Sequence, residues 1–528
     1  MRGWVPRSRP WRGASARRSL VGRSVALCAG VAATVLLVGA LQSPVVSASA
    51  GSDWPEHLHD ASGSGFSSET IINTGNASRL KMRTGWPVAL TNTAQCPSAN
   101  NSCSSTIVSQ AVIGSFSGLS LVFVSAWNGS EYALCAAACT IGATTYPSGH
   151  LVWSTYLGRT SGCHGPTTGT VWGPSSASSV TSATIGGQNQ PLVFVTGGGD
   201  IDISGAVIAN ASAKLFALNA LTGAVLWQTP LGSAPHHFAW SSPVVANNSV
   251  YAGLASLDDC PAVAGQVFRI DELTGQQLNT FDVVPSSCKG GGVWGSPVVD
   301  ANGNVFVATG NPIACKLPEP YAPALLEFDA NLNLLGSWQV PVVEQTTDSD
   351  FGSTPTLFSG TVIPNGQARS LIGVPNKNGT YYVFDENAVS NGPVARLSIA
   401  VGGSNPEAGN GSIAPASWDG THLCVAGGNT TINGVSYKGS LRAFDPNSLA
   451  RPLWELGLSG HVLAAVSSVP GLAFVGSGNV LNVVNSSTGQ TVFKTSAGKL
   501  FAAPSIAYGV IYVGDTSGKL RAFSVGGA

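Results

Sequence analysis

The chain has 528 residues, only 10% of them charged, against 44% hydrophobic residues and a formal net charge of −1. Without the seven arginines between Arg2 and Arg23, 18 basic groups face 26 acidic ones, a net −8. That balance excludes a nucleic-acid binder, and the abundance of Gly, Ser, Thr, Ala and Val favours short strands and tight turns over helices.

Residues 1–50 read as a secretory leader. The arginine-rich start is followed by an uncharged apolar run from Val25 to Leu41, and Ala48-Ser49-Ala50 offers a small-residue cleavage site. Arg17-Arg18 is compatible with twin-arginine export as well as the general secretory route, and an uncleaved anchor is the alternative. No other apolar stretch is long enough to span a bilayer, so no membrane span is expected once the leader is removed.

Of ten cysteines, Cys28 lies in the leader, leaving an odd number for an oxidising compartment. Cys96 with Cys103 and Cys135 with Cys139 are close pairs. Cys163, Cys260, Cys288, Cys315 and Cys424 stay unassigned, and at least one thiol is left over. Cys135-Ala-Ala-Ala-Cys139 has no second Cys/His pair beside it to complete a zinc site. No Cys-x-x-Cys-His is present to attach a haem.

From residue 51 onward one pattern returns at a period of roughly 40 to 60 residues. A small-residue strand is followed by an apolar strand and by a strand ending in Asp or Asn. A Thr-Gly turn and a strand carrying Trp or Phe complete the unit. Lys214–Trp227 and Gln266–Gly275 are clear copies, with looser ones at Gly439–Asp445, Val480–Gly489 and Gly518–Phe523. Innermost strands fall near Val108, Ser175, Ser242, Ser296, Ser353, Ser412, Ser467 and Pro504. The expected fold is therefore all-β, a single eight-bladed β-propeller of four-stranded antiparallel blades over 51–528. The last unit stops short of its outermost strand, and the segment at 80–90, beginning Leu80-Lys-Met-Arg-Thr-Gly-Trp86, has the character to supply it.

The fourth unit holds the most informative stretch, Gly290–Pro312. A glycine turn carries Trp294, and a hairpin then ends on Gly310-Asn311-Pro312, so a flat aromatic face and an amide oxygen are presented by one hairpin. This stretch resembles the cofactor hairpin of the pyrroloquinoline-quinone (PQQ) alcohol dehydrogenases, in which the Trp stacks on PQQ and the Asn ligates calcium. The resemblance spans most of the chain after the leader, from Asp53-Trp54-Pro55 onward, and is specific at three further places. Gly253-Leu-Ala-Ser-Leu-Asp-Asp259 puts Asp258, with Asp259 as its neighbour, where the family carries a metal-binding Glu. Asp348-Ser-Asp-Phe-Gly-Ser-Thr-Pro355 puts Asp350 at the catalytic base, which also belongs to the metal set. Val374-Pro-Asn-Lys-Asn-Gly-Thr-Tyr-Tyr-Val-Phe-Asp385 is similar to the family's strand pair whose basic residue, here Lys377, touches the quinone oxygens. The wording at 253–259 and 350–355 is closer to the polyvinyl-alcohol dehydrogenase branch than to the methanol branch.

The resemblance implies an enzyme that oxidises an alcohol, polymeric or secondary, with PQQ and calcium or another hard cation. Asp350 would take the alcohol proton and Lys377 would polarise the quinone. Trp294 would stack on the cofactor. Asp258, Asp259, Asn311 and Asp350 would supply hard oxygens to the cation. Ser242 and Thr354 are candidate hydroxyl donors to the PQQ carboxylates, and electrons would pass to an external acceptor. Two departures stand out. The family's adjacent-cysteine disulfide is absent, with Trp172 or the Cys163-His164 loop as candidates to cover the second cofactor face. The arginine that grips a PQQ carboxylate has no clear counterpart, with His236-His237 as the nearest substitute. The alternatives are a non-enzymatic propeller serving as a binding or assembly scaffold, and a propeller hydrolase or lyase using a metal and carboxylates alone.

Overall fold

Eight four-stranded antiparallel sheets follow one another along the chain. The computed structural model describes residues 52–91, 105–163, 171–185, 188–209, 211–232, 236–313, 315, 319–361 and 367–528. The expected leader, Cys96, Cys103 and His164 lie outside these. Blades 1 to 7 occupy 112–156, 179–231, 244–282, 298–339, 356–398, 417–458 and 467–496. Blade 8 is built from Ser505–Ala507, Val510–Gly514 and Lys519–Val525, and its fourth strand is Leu80–Met82, which pairs with the last strand at Leu80↔Val525 and Met82↔Phe523. Together these sheets make an eight-bladed β-propeller.

The repeat pattern has a local cause. Where the third strand of a blade ends in Asn219, Asp271 or Asn485, the side-chain Oδ1 accepts the backbone N–H groups two and three residues on and so forms the turn. The glycine closing that turn is left-handed, with φ of 70° at Gly223, 72° at Gly275 and 73° at Gly489. It also receives the tryptophan of the preceding blade. A Cβ would stand 2.6 Å from the Trp153 ring at Gly223, 2.7 Å from Trp227 at Gly275 and 2.7 Å from Trp454 at Gly489. The indole N–H groups of Trp153 and Trp454 add bonds to the carbonyls of Ala220 and Ser486. Each Thr-Gly turn is thus both a hairpin turn and the socket that registers one blade on the next.

The innermost strands are sheet edges, and their inward N–H groups need acceptors. The segment 54–69 supplies them. Pro55, Ala61, Ser62, Ser64 and Gly65 offer their carbonyls in turn to the N–H groups of Val180, Val299, Leu357, Trp418 and Ser468, and Trp54 exchanges two bonds with Ile113. In each case the partner is the second residue of a blade's innermost strand, in blades 1, 2, 4, 5, 6 and 7. The Glu56 carboxylate takes the Val245 N–H in blade 3, and Glu69 Oε2 takes the Gly509 N–H in blade 8 at 2.6 Å. One stretch of chain therefore clasps all eight blades in order. Its tight course depends on Gly63 and Gly65, with φ of 64° and 62°, and on Asp60, whose Oδ1 accepts from the Ser62 and Ser64 N–H groups.

Disulfides join Cys135 to Cys139, Cys163 to Cys260 and Cys288 to Cys315, and among the described residues Cys424 is a buried free thiol. Among these residues no helix is long and apolar enough to cross a membrane. A Cβ at Gly63 would lie 2.7 Å from the Pro355 carbonyl oxygen and 2.9 Å from a Val298 methyl. Gly63→Ala is expected to lower stability by about 1–3 kcal/mol through backbone strain alone, read as a lowered denaturant midpoint with the slope unchanged. An unchanged midpoint would show that the clasp is not held at this point.

Candidate functional site

A cavity of about 610 Å³ lies on the propeller axis, lined by residues of every blade and, from the clasp, by His57. Its wall is set by how the chain enters each innermost strand. Trp240, Trp294 and Gly352 stand four residues ahead of the innermost strands of blades 3, 4 and 5; Ser175 holds that place before blade 2, and Trp172 lies three residues upstream of it. All three indoles are half-buried and face the cavity, joined by Trp127 of blade 1. Trp127 and Trp172 stack with centroids 4.6 Å apart and planes 16° apart, and Trp172 meets Trp240 edge-on at 5.2 Å.

Below the indoles, hydroxyls stitch neighbouring blades. The N–H of Ala177 donates to Ser242 Oγ, that of Ser242 to Ser296 Oγ, and that of Ser296 to Thr354 Oγ1, each at 2.9 Å. Ser242, Ser296 and Thr354 line the cavity, and because each hydroxyl accepts from the protein, its proton is available to donate inward.

The charged corner of the cavity belongs to blades 4 and 5. Lys377, at the turn between the second and third strands of blade 5, places Nζ 2.7 Å from Asp350 Oδ2 and 2.8 Å from Asp348 Oδ2. The same ammonium lies 5.1 Å above the Trp294 ring, a cation–π contact. Asp350 Oδ1 accepts the Asn311 backbone N–H at 2.7 Å and sits over Gly310, where a Cβ would be only 2.8 Å away. The Asn311 side chain is used twice within the corner, donating to Asp348 at 3.0 Å and accepting from the Ser349 N–H at 2.8 Å. Trp294 in turn packs on Gly352, where a Cβ would stand 2.0 Å from its ring.

Burial, aided by the negative charge of Asp348 and opposed by Lys377, pushes the Asp350 carboxyl up to about 6. Burial would also raise Asp348, but the Lys377 ammonium outweighs it and holds that carboxyl below its ordinary value. Lys377 is raised because the two carboxylates overcome the cost of burying its charge. Two carboxylates driven apart in this way divide the labour, one permanently charged and the other able to exchange a proton near neutrality.

The structure thus brings Trp294, Asp350 and Lys377 together, with Ser242 and Thr354 on the same cavity wall. Of the expected metal set, Asn311 and Asp350 meet in the corner. Asp258 lines the cavity, but Asp258 and Asp259 are exposed in left-handed conformations, and Asp259 accepts from Ser256 Oγ. Among the described residues the carboxylates of Asp258, Asp259 and Asp350 do not gather within 4.8 Å of one another. The one group that does, Cys288, Cys315 and Glu319, contains a disulfide and lies outside the cavity lining. His236 bonds the Ser161 carbonyl and His237 is buried; neither lines the cavity. Cys163, a candidate cover, is tied to Cys260, next to Asp259. Trp172, the other candidate, is on the cavity wall.

No protein-family model matches this chain, and no curated protein matches it. Solved structures do. A quinohemoprotein alcohol dehydrogenase from Pseudomonas putida HK5 superposes with a TM-score of 0.64 at 15% identity, covering 90% of this chain and 80% of its own. The quinohemoprotein alcohol dehydrogenase of Comamonas testosteroni gives 0.63 at 17% identity, over 90% and 81%. A europium-containing methanol dehydrogenase gives 0.62 at 14% identity, over 89% and 98%. This chain has their fold. At such identities the likeness reaches the propeller and its blade order, and the chemistry has to be argued from the corner just described.

Two members of the site escape the sequence reading. Asp348 enters it only as the start of the Asp350 segment, although a second carboxylate two residues upstream is a visible signal for a shared cation. Trp127 is hidden because it stands in a repeat position that holds a lysine in blade 5.

Gly352→Ala is expected to push the Trp294 indole off its seat. Overpacking of this kind costs about 1–3 kcal/mol and would change the near-ultraviolet circular dichroism of the folded protein. An unaltered spectrum and melting point would refute the packing of Trp294 on this strand entry.

Proposed function

We propose that the protein is a quinoprotein dehydrogenase that oxidises an alcohol with PQQ and passes the electrons to an external acceptor. The observation that carries this reading is that Lys377, on the cavity wall, is held by Asp350 and lies above the Trp294 ring, which shares that wall. A flat, anionic cofactor fits there. The half-buried indole offers stacking area, the ammonium over its edge offers a positive partner, and Ser242, Ser296 and Thr354 have protons to give to carboxylate groups. When bound, PQQ supplies the electrophilic carbonyl that accepts the hydride removed from the alcohol carbon.

The chain's own residues do the rest. Asp350, ionised above about pH 6, takes the alcohol's hydroxyl proton as the hydride departs. Lys377 holds positive charge where negative charge develops on oxygen, which is strongest in a site shielded from water. Asp348 keeps that ammonium in place. Of the expected cation ligands Asn311 and Asp350 meet in the corner, while among the described residues Asp258 and Asp259 form no carboxylate cluster with Asp350, and no step is drawn through a metal ion. A lysine buried between two carboxylates and stacked on an indole is costly to desolvate, which favours a functional role for the corner over a purely structural one.

Titration of the mature protein with PQQ, with and without calcium, should show saturable binding followed by alcohol-dependent reduction of a dye. Absence of PQQ binding under both conditions would sink the proposal. Asp350→Asn should bind PQQ and lose turnover by about two to four orders of magnitude, the range of general-base catalysis.

The acid limb of turnover should also be diagnostic. A base whose folded value is raised is protonated and idle below that value and active above it, so the rate should rise with pH through about 6. Asp348→Asn removes the repulsion that raises Asp350 and leaves Lys377 to it alone, so the limb should move to lower pH. A limb that stays in place would remove Asp348 from the proton balance.

A further inference from the structure

The axial cavity has a second functional wall that the charged corner does not use. Trp127-Asn-Gly129 in blade 1 is the repeat equivalent of Lys377-Asn-Gly379 in blade 5. In both, the asparagine Nδ2 donates to a tyrosine hydroxyl four residues on, Asn128 to Tyr132 and Asn378 to Tyr382, each at 2.7 Å. Blades of an eight-fold ring are about 45° apart, so equivalent turns four blades apart face each other across the axis. The Lys377 turn therefore lies across the axis from the turn of Trp127, which stacks on Trp172.

We propose that the Trp127–Trp172 pair is a platform for one face of a sugar ring, so that the substrate is a saccharide whose hydroxyl is presented across the channel to Asp350 and Lys377. The catalytic half of this statement rests on the dehydrogenase reading above, and the binding half does not. The indole N–H of Trp127 is spent on Ser175 Oγ at 2.9 Å, which leaves the ring face to act by stacking. Among the described residues a cation stacks on Trp294 but none stacks on Trp127 or Trp172, which suits a neutral ligand.

Polar groups stand beside the platform. The Trp127 backbone N–H bonds the Thr106 carbonyl, Thr106 Oγ1 bonds the Thr516 carbonyl at 2.9 Å, and the Thr516 N–H bonds the Lys499 carbonyl. These bonds join the main chain of Trp127 to that of Lys499, whose exposed side chain pairs with Glu407 at 3.8 Å on the cavity rim. A cationic donor and an anionic acceptor side by side match two neighbouring hydroxyls of a sugar. An alkyl or benzyl alcohol would cover the indoles and leave that pair unused, and sites built to bond hydroxyls discriminate strongly for ligands that carry them.

Calorimetric titration of the mature protein with glucose, maltose, cellobiose, benzyl alcohol and 1-hexanol tests the assignment. Saturable binding of at least one of the saccharides is expected. Trp172→Ala should weaken it at least tenfold, Trp172→Phe should recover most of the loss, and the exposed substitution Lys499→Ala should weaken it several-fold with an unchanged melting point. No saccharide binding, binding of the benzyl or alkyl alcohol alone, or saccharide binding indifferent to both Trp172→Ala and Lys499→Ala would overturn the proposal. Should Trp172→Ala fail to fold, Lys499→Ala decides. Saccharide binding without PQQ binding would leave the platform standing and remove the dehydrogenase reading instead.

Discussion

Eight wedge-shaped sheets around an axis leave a hole bordered by unpaired strand edges, and what satisfies those edges sets the character of everything above them. Here it is one run of chain, 54–69, whose carbonyls meet the second residue of the innermost strands blade after blade. Each bond is worth about 1 kcal/mol net, while a buried N–H left without an acceptor costs about 1–3 kcal/mol. The larger effect is geometric. The strand entries Trp294 and Gly352 precede their clasped residues, Val299 and Leu357, by five positions, so the clasp lies deeper along the strands than the indoles. The side chains that line the cavity above it are held by strands whose inner edges are fixed.

On that base the charged corner can afford tension. Three ionised groups, Asp348, Asp350 and Lys377, share a pocket in which Lys377 is 10% exposed and Asp350 14%. Burial alone would discharge them; mutual contact keeps two charged and leaves Asp350 balanced near neutrality. Asn311 ties the two aspartates together through its backbone and its side chain. The geometry is therefore a closed set in which each member's proton affinity depends on the others.

Most of the architecture could be read from the residues because each repeat carries its own turn chemistry. Asn219, Asp271 and Asn485 announce hairpins locally, and the glycine after each threonine is required by both φ and a neighbouring indole. The strand character of Leu80–Met82 was equally local. The clasp was not legible, since it does not repeat and meets six of the eight blades through main-chain carbonyls, which leave little mark on residue choice. In the site, Trp294, Asp350 and Lys377 could be located because they sit at repeat-equivalent strand ends. The cation ligands were harder, because one or two residues of loop geometry decide whether Asp258 and Asn311 turn inward, and here Asn311 is drawn to Asp348 and Ser349. Trp127 required comparing a blade with the one opposite rather than with its neighbour.

The closure of blade 8 has a consequence for the birth of the molecule. Glu69 finds its partner Gly509 440 residues later, and Leu80 waits for Val525. Contacts of such separation are slow to form, and during synthesis the earliest part of the propeller is without its final neighbours until Val525 has been made. Until then a nascent chain carries open sheet edges, and such edges are aggregation-prone. The ring is sealed only after Lys519–Val525 has been made.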